Sequence, residues 1–476
     1  MSLLLVLHIL VVGMFTTRIL LRDDLSPPAR LAWFIVLLGL PIFGSVVYFL
    51  FGEVDLRGKA RRTRAAIFDT IKYDAAADMG EAEKLTALIE RPYQAAFKYA
   101  ASVNGFHPMA GNTAELMADS ARTHARMIAD IDAATDHVHV LYYIWLGDRT
   151  GTALAEALIR AVRRGVTCRA MADGLGSRVL IRSALWRRMR DAGVQMAVAL
   201  PLNRPIRTLL NSRIDLRNHR KITVIDGQIT YCGSRNSADP EFKIKANYAP
   251  WIDIMLRFRG PVVAQNQLLF ATDWMDATGE RLARCAVSSK PAKDGFPAQA
   301  LGFGPTERKG ATPHLFSTAI GCARATVTLS TPYFVPDATV LESLRAAAFR
   351  GVVVTLIFPK LNDNWIVAAA SRSYYRALLE AGCIIHEFTG GLLHAKTLTI
   401  DDKISLIGSS NLDLRSFDLN YENNILLQDT EITSQIQGRQ AEYIADSELV
   451  SLDTVINWPY RKRIWHNVIA TIGPIL

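Results

Sequence analysis

Two stretches of the chain carry the same chemical groups at the same spacing, His219-x-Lys221-x4-Asp226 and His394-x-Lys396-x4-Asp401. Seven residues beyond each aspartate comes a glycine and then Ser-x-Asn: Gly233, Ser234 and Asn236 in the first copy, Gly408, Ser409 and Asn411 in the second. Seventeen residues separate His from Asn both times. An imidazole titrates near neutrality and supplies either a nucleophile or a proton shuttle. A lysine and an asparagine beside it supply the cationic and amide donors that a phosphodiester needs as charge shifts in the transition state. One such pattern arises by chance in roughly a few per cent of chains of this composition, so the repetition with matching tails is what carries weight. Each copy offers one histidine; two copies facing each other bring a pair to one phosphate. Asp226 and Asp401 are candidate catalytic members of the set, and as turn residues they also fit a supporting role.

The spacing suits a strand, where residues at i and i+2 project from one face and each histidine stands beside its lysine. Asp226-Gly227 then reads as a hairpin turn, with Ile229–Cys232 returning to deliver Ser234 and Asn236; Asp401-Asp402 reads as a looser turn. The surrounding pattern is α/β and also runs twice. Strand His137–Trp145, helix Thr152–Arg164 and strand Val166–Ala172 in the first half match strand Thr326–Thr331, helix Thr339–Arg350 and strand Val352–Phe358 in the second. A further helix in each half ends at a glycine, Gly193 or Gly382, where a left-handed cap is expected. The aperiodic stretch Val287–Pro297 is the joint. The expected layout is a membrane anchor over 1–52, a basic linker or amphipathic region over 53–110, one lobe over 111–286 and a similar lobe over 297–476.

The remaining candidates are weaker. His137 and His139 share a strand face, but no further ligand sits at a matching distance, so no metal site is expected. Five cysteines without a C-x-x-C spacing give neither a disulfide framework nor a zinc cluster and fit a reducing compartment. A net charge of +9 suits nucleic acid or anionic lipid equally.

Half of the 476 residues are hydrophobic, which for an enzyme of this size points to lipid contact. The uncharged 21-residue run Leu31–Phe51 is long enough for a transmembrane helix, and Leu3–Phe15, extended to Leu21, pairs with it as a hairpin. Arg57, Lys59, Arg61, Arg62 and Arg64 follow directly, and the positive-inside rule places the large carboxy-terminal part in the cytoplasm. As a solvated linker, this cluster would also attract anionic headgroups.

The doubled His-x-Lys-x4-Asp with Gly-Ser-x-Asn resembles the phospholipase D superfamily. Leu216–Lys221, Trp251-x-Asp253, Thr331–Pro336, Leu412–Ser416 and the anchor residues Leu40-Pro41-x-x-Gly44 are similar to bacterial cardiolipin synthases, over essentially the whole chain. The resemblance implies two phospholipase D-like lobes in pseudo-twofold duplication sharing one active site, in the bacterial inner membrane. It implies ping-pong chemistry without metal or cofactor, with His219 as nucleophile and His394 as acid and base. Downstream carboxylates orient the histidines in that family, and the matching positions are Asp253 and Glu422. Phosphatidylglycerol would be both donor and acceptor, with cardiolipin and glycerol as products and no nucleic acid involved. The first copy departs from the family at Gly233–Pro240, which bears on acceptor preference.

Anchoring would spare diacyl substrates from leaving the bilayer. Arg204, Arg207, Leu209, Leu210 and Arg213, and the segment Trp458–Leu476 with Arg461, Lys462, Arg463, Trp465, Ile469 and Ile472, are candidate interfacial contacts. A hydrolase releasing phosphatidic acid would use the same residues; a membrane-anchored nuclease is a more distant alternative, since few aromatic residues interleave with the basic ones.

Overall fold

The structure is a computed structural model that describes every residue except 1–2, 23–24, 26, 41, 49–51, 53–58, 202–214, 283–288 and 472–476. The segment through Arg61 forms one compact unit, and a second, much larger one begins at Arg62.

In the first unit, helix Leu3–Leu20 is followed by Pro27–Gly39 and a short helix Phe43–Val47. Within the 31–51 run, expected as one helix, the described residues form two, ending at Gly39 and resuming at Phe43, while 41 and 49–51 lie outside the described residues. Among the described residues no helix is long and apolar enough to cross a membrane. Aromatic packing holds the helices together: the Tyr48 ring meets Phe15 and Trp33 edge-on at 5.2 and 5.1 Å.

The second unit is organised by a 16-stranded sheet. Its first half supplies β1 (Met109–Leu116), β2 (His137–Tyr142), β3 (Thr167–Asp173), β4 (Gln195–Ala199), β5 (Lys221–Ile225), β6 (Ile229–Gly233) and β7 (Met255–Arg259). The second half repeats the set as β8 (Phe296–Phe303), β9 (Thr326–Ser330), β10 (Val353–Pro359), β11 (Ile384–Phe388), β12 (Thr397–Ile400), β13 (Ile404–Gly408) and β14 (Asn420–Gln428), with an edge strand β15 (Ser447–Leu449). Fifteen of the strands run in the order β15-β11-β10-β9-β12-β13-β14-β8-β1-β7-β6-β5-β2-β3-β4, and the sixteenth, the two-residue strand Arg217–Asn218, pairs with β14 off this path. That order reads the same outward from the central β8–β1 pair, which is antiparallel as a twofold relation requires. In each half the outer strands (β2-β3-β4, β9-β10-β11) are parallel and helix-connected, and the inner ones antiparallel. The internal repeat is thus a doubled lobe with one shared seam. Helix Val262–Thr278, whose first fourteen residues are all buried, packs with both halves' strands in the core at this seam.

The region 53–110, expected as a basic linker or amphipathic region, carries helices from Lys59 onward. Helix Lys59–Asp74 places Ile71 in the central core, and helix Gln94–Asn104 sends Phe97 and Ala100 into the core of the second lobe. Arg64, expected among solvated cations, is buried and paired with Asp273. Helix Tyr460–Thr471 packs on helix Trp365–Ser373 and buries Ile469 there, so this member of the expected interfacial set is a core contact. Ile472 and residues 204–213 lie outside the described residues.

Asp226 and Asp401 correct an expectation. Both start tight hairpin turns in the left-handed region, with φ 51° and 62° at Asp226 and Gly227 and 51° and 58° at Asp401 and Asp402. The second turn is as tight as the first, because a short Asp side chain tolerates that conformation. Neither carboxylate lines the cavity that holds the histidines. Asp226 instead accepts the backbone N–H groups of Thr135, Asp136 and His137 at 2.9 Å each. Asp401 accepts those of Arg324, Ala325 and Thr326 at 2.7 to 2.9 Å. Each aspartate therefore fastens the start of the strand next to its own hairpin. Asp226→Ala is expected to cost about 1–3 kcal/mol of stability by stranding those donors, read as a lower unfolding midpoint, while turnover per folded molecule changes by less than about threefold.

Candidate active site

Each histidine leaves its own lobe to dock on the other. The two-residue strand Arg217–Asn218 pairs parallel with Asn420–Tyr421, and the His219 N–H donates to the Tyr421 carbonyl at 2.8 Å. In mirror fashion Leu392–Leu393 pairs parallel with Trp251–Ile252, and the His394 N–H donates to the Ile252 carbonyl at 2.8 Å. One residue further along each partner strand stands a carboxylate. His219 Nδ1 meets Glu422 Oε2 at 2.8 Å, and His394 Nδ1 meets Asp253 Oδ1 at 2.6 Å. The carboxylates at the expected positions thus serve the histidine of the opposite half.

This pairing fixes the ring nitrogens. With Nδ1–H given to a carboxylate, each imidazole keeps Nε2 for chemistry. The carboxylates are held in turn. Ser234 Oγ donates to Asp253 at 2.6 Å. Glu422 takes hydrogen bonds from Ser409, from Ser416 at 2.7 Å and from the Asn420 amide at 3.2 Å. Burial, the largest single influence, pulls both carboxylates toward the acid form, but His394, Lys396 and Ser234 together outweigh it at Asp253, and His219, Lys221 and Ser409 together outweigh it at Glu422, so both stay below the usual carboxylate range.

Burial dominates at the bases. It pushes His219 down to about 4 despite Glu422, and His394 also falls, through burial and the Lys396 charge. Lys221 and Lys396 are pushed down by burial to about 8 and about 7. Each lysine donates to the carbonyl of its own histidine, at 2.5 and 2.6 Å, which spends one of three N–H groups and leaves two for an anion. The Asn236 oxygen accepts from the Ile144 N–H at 3.1 Å, so its NH2 is the end offered as a donor. Asn411 Oδ1 is buried without a hydrogen-bond partner.

Both histidines and both asparagines line one cavity of about 630 Å³. Lys221, Lys396, Ser234 and Ser409 sit behind them, and Tyr143 and Trp251 flank the two imidazoles at 4.8 and 4.7 Å between ring centroids. The repeated motif does not point to these rings, nor to Ser416 and Asn420, because each has no counterpart at the same offset in the other copy. Arg220, between His219 and Lys221, turns to the opposite side. Its guanidinium spans both Asp273 oxygens at 3.0 Å and reaches the Glu422 carbonyl at 3.1 Å, while Asp273 also takes Asn218 at 2.9 Å. This buried cluster secures the histidine segment and its carboxylate strand from behind. His137 bonds Asp136 and Gln267, and His139 stacks on Phe270 at 4.7 Å.

A duplicated lobe with one His-Lys-Asn set from each copy at a common cavity has the phospholipase D-like fold, a class of phosphodiester-processing enzymes. A family model described as "Cardiolipin synthase, PLD-like domain" matches residues 127–265 and 316–442, and one described as "Phospholipase_D-nuclease N-terminal" matches 9–53. The chain is 36% identical to the cardiolipin synthase A of Serratia proteamaculans over 472 residues, 97% of this chain and 95% of that protein. It is 34% identical to the cardiolipin synthase A of Edwardsiella ictaluri over 473 residues, 98% and 96% of the two. The phosphatidylserine synthase of Haemophilus influenzae shares the fold, with a TM-score of 0.58 at 14% identity over 81% of this chain and 100% of that one. The chain belongs to the cardiolipin synthase family of phospholipase D-like proteins.

Proposed function

We propose that the chain joins two phosphatidylglycerol molecules into cardiolipin and releases glycerol. The crosswise carboxylate pairing carries this reading, since it presents two Nε2 atoms to one cavity. Nε2 of His219 attacks the donor phosphorus; the phosphorus–oxygen bond to the headgroup glycerol breaks, and His394 delivers the proton that the glycerol oxygen needs. The phosphatidyl group is then on His219. His394, now neutral, takes the proton from the terminal hydroxyl of a second phosphatidylglycerol, whose oxygen displaces His219. Lys221, Lys396 and the Asn236 amide steady the phosphoryl oxygens in both steps. His219 suits the nucleophile's part because it is neutral above about pH 4 and its carboxylate is the more fully hydrogen-bonded of the two.

The groups that act charged set the basic limb. His394 must be protonated in the first step, and Lys396 and Lys221 lose their protons near 7 and 8. The profile of kcat/KM against pH is expected to rise through about 4 as His219 loses its proton, to begin falling on the acid side of neutrality, where buried His394 gives up the proton that the first step needs, and to fall further as Lys396 and Lys221 lose theirs. A rate constant that stays unchanged on crossing either limit would contradict the assignment. Purified protein given phosphatidylglycerol alone should yield cardiolipin and glycerol in equal amounts. Phosphatidic acid without cardiolipin would instead mark a hydrolase.

Diacyl substrates also favour a chain held at the bacterial inner membrane by its apolar amino-terminal segment, with the larger unit on the cytoplasmic side; the apolar runs before Phe51 and the arginines after it support this placement.

A further inference from the structure

The loops at the cavity's edge carry large apolar side chains into solvent. Val179 is 66% exposed next to Arg178, and Ile244 is 63% exposed between Lys243 and Lys245. Leu361 and Trp365, each 59% exposed, bracket the cavity-lining Asp363 and Asn364. Lys245 joins two of these segments through Asp363 at 2.5 Å. The surface continues from Trp365, whose ring stacks on Trp465 at 5.8 Å and 10°. On the helix Tyr460–Thr471, Ile464, Trp465 and Val468 are exposed while His466 and Ile469 are buried.

Charge identifies the occupant. Arg178, Lys243, Arg461 and Lys462 are interspersed with these apolar groups and exposed, whereas Asp363 is turned inward and Glu241 faces Arg149. Tryptophan, aliphatic side chains and cations together are the composition that settles at the boundary between acyl chains and anionic headgroups. A cavity opening within such a surface lets a lipid headgroup enter while its acyl chains remain in the bilayer. We propose that this rim, from Val179 and Ile244 across Trp365 to Ile464, is a docking surface for an anionic lipid bilayer, which seats the cavity mouth on the membrane. The proposal rests on reading the cavity as a phospholipid site.

The test uses the full chain reconstituted in vesicles of phosphatidylcholine, alone or with phosphatidylglycerol. With Cys285 and Cys322 replaced by Ser, a polarity-sensitive fluorophore is placed at Ile244→Cys or, as a control at the far end of β10, at Val353→Cys. Phosphatidylglycerol should shift the Ile244 label to the blue and shield it from iodide, and leave the Val353 label unchanged. An Ile244 label that stays in water overturns the proposal. Trp365→Glu with Ile464→Glu should lower turnover of long-chain phosphatidylglycerol in vesicles by roughly tenfold, and that of monomeric short-chain phosphatidylglycerol by less than about twofold. Equal loss on both substrates, or on neither, also overturns it. An Ile244 label that becomes shielded, together with an unmutated chain that turns over neither lipid, would leave the docking surface standing and remove the proposed reaction.

Discussion

His219→Ala should lower cardiolipin formation by roughly 10⁴-fold or more, because removing a nucleophile eliminates the covalent route itself. His394→Ala should be as damaging on phosphatidylglycerol, since the glycerol oxygen is then expelled without a proton. The two separate on a phosphatidyl ester of nitrophenol, a leaving group that needs no acid. On it His394→Ala should release one equivalent of nitrophenol and stop, with the phosphatidyl group on His219 detectable by mass spectrometry. His219→Ala should release none. An adduct on His394 would reverse the assignment.

Glu422→Gln should slow that single-equivalent release by about 10² to 10⁴-fold, the scale on which a nucleophile or base loses activity when the carboxylate fixing its imidazole is neutralised. Asp253→Asn, acting through the other histidine, should change the release by only a few-fold and slow the later transfer instead. The contrast follows from Glu422 reaching His219 and Asp253 reaching His394. Were each carboxylate bonded to the histidine of its own half, the two variants would exchange effects. Rapid-mixing measurement of the nitrophenol burst tells the arrangements apart.

The parts of this site that chemistry holds to one residue type could be read from the sequence. His219, Lys221, Asn236 and their counterparts recur at one spacing on a hairpin, and they are the nucleophile, cation and amide donor that the proposed reaction asks for. Strand and helix limits near them also follow from local apolar periodicity: the helix expected over 152–164 spans Arg149–Arg163. What local pattern cannot express is partnership across the chain. Glu422 lies 203 residues from His219, and Arg64 lies 209 from Asp273. Nothing near Arg64 separates a buried ion-pair member from the exposed arginines beside it. Asp226 was equivocal for a related reason: at the head of a hairpin its type fits a turn, and only the position of Thr135–His137 reveals what it holds. At the amino terminus, hydropathy over 31–51 reports composition and carries no mark of the helix boundary at Gly39.

The crossed strands Arg217–Asn218 with Asn420–Tyr421 and Leu392–Leu393 with Trp251–Ile252 work as an interlock. If the halves part, both imidazoles lose their anchoring at the same moment, so no lone reactive histidine is left to draw lipid into an adduct that it cannot resolve. Loss of activity on loosening of the seam is then all-or-none rather than graded, and a partly opened molecule is inert rather than a wasteful hydrolase.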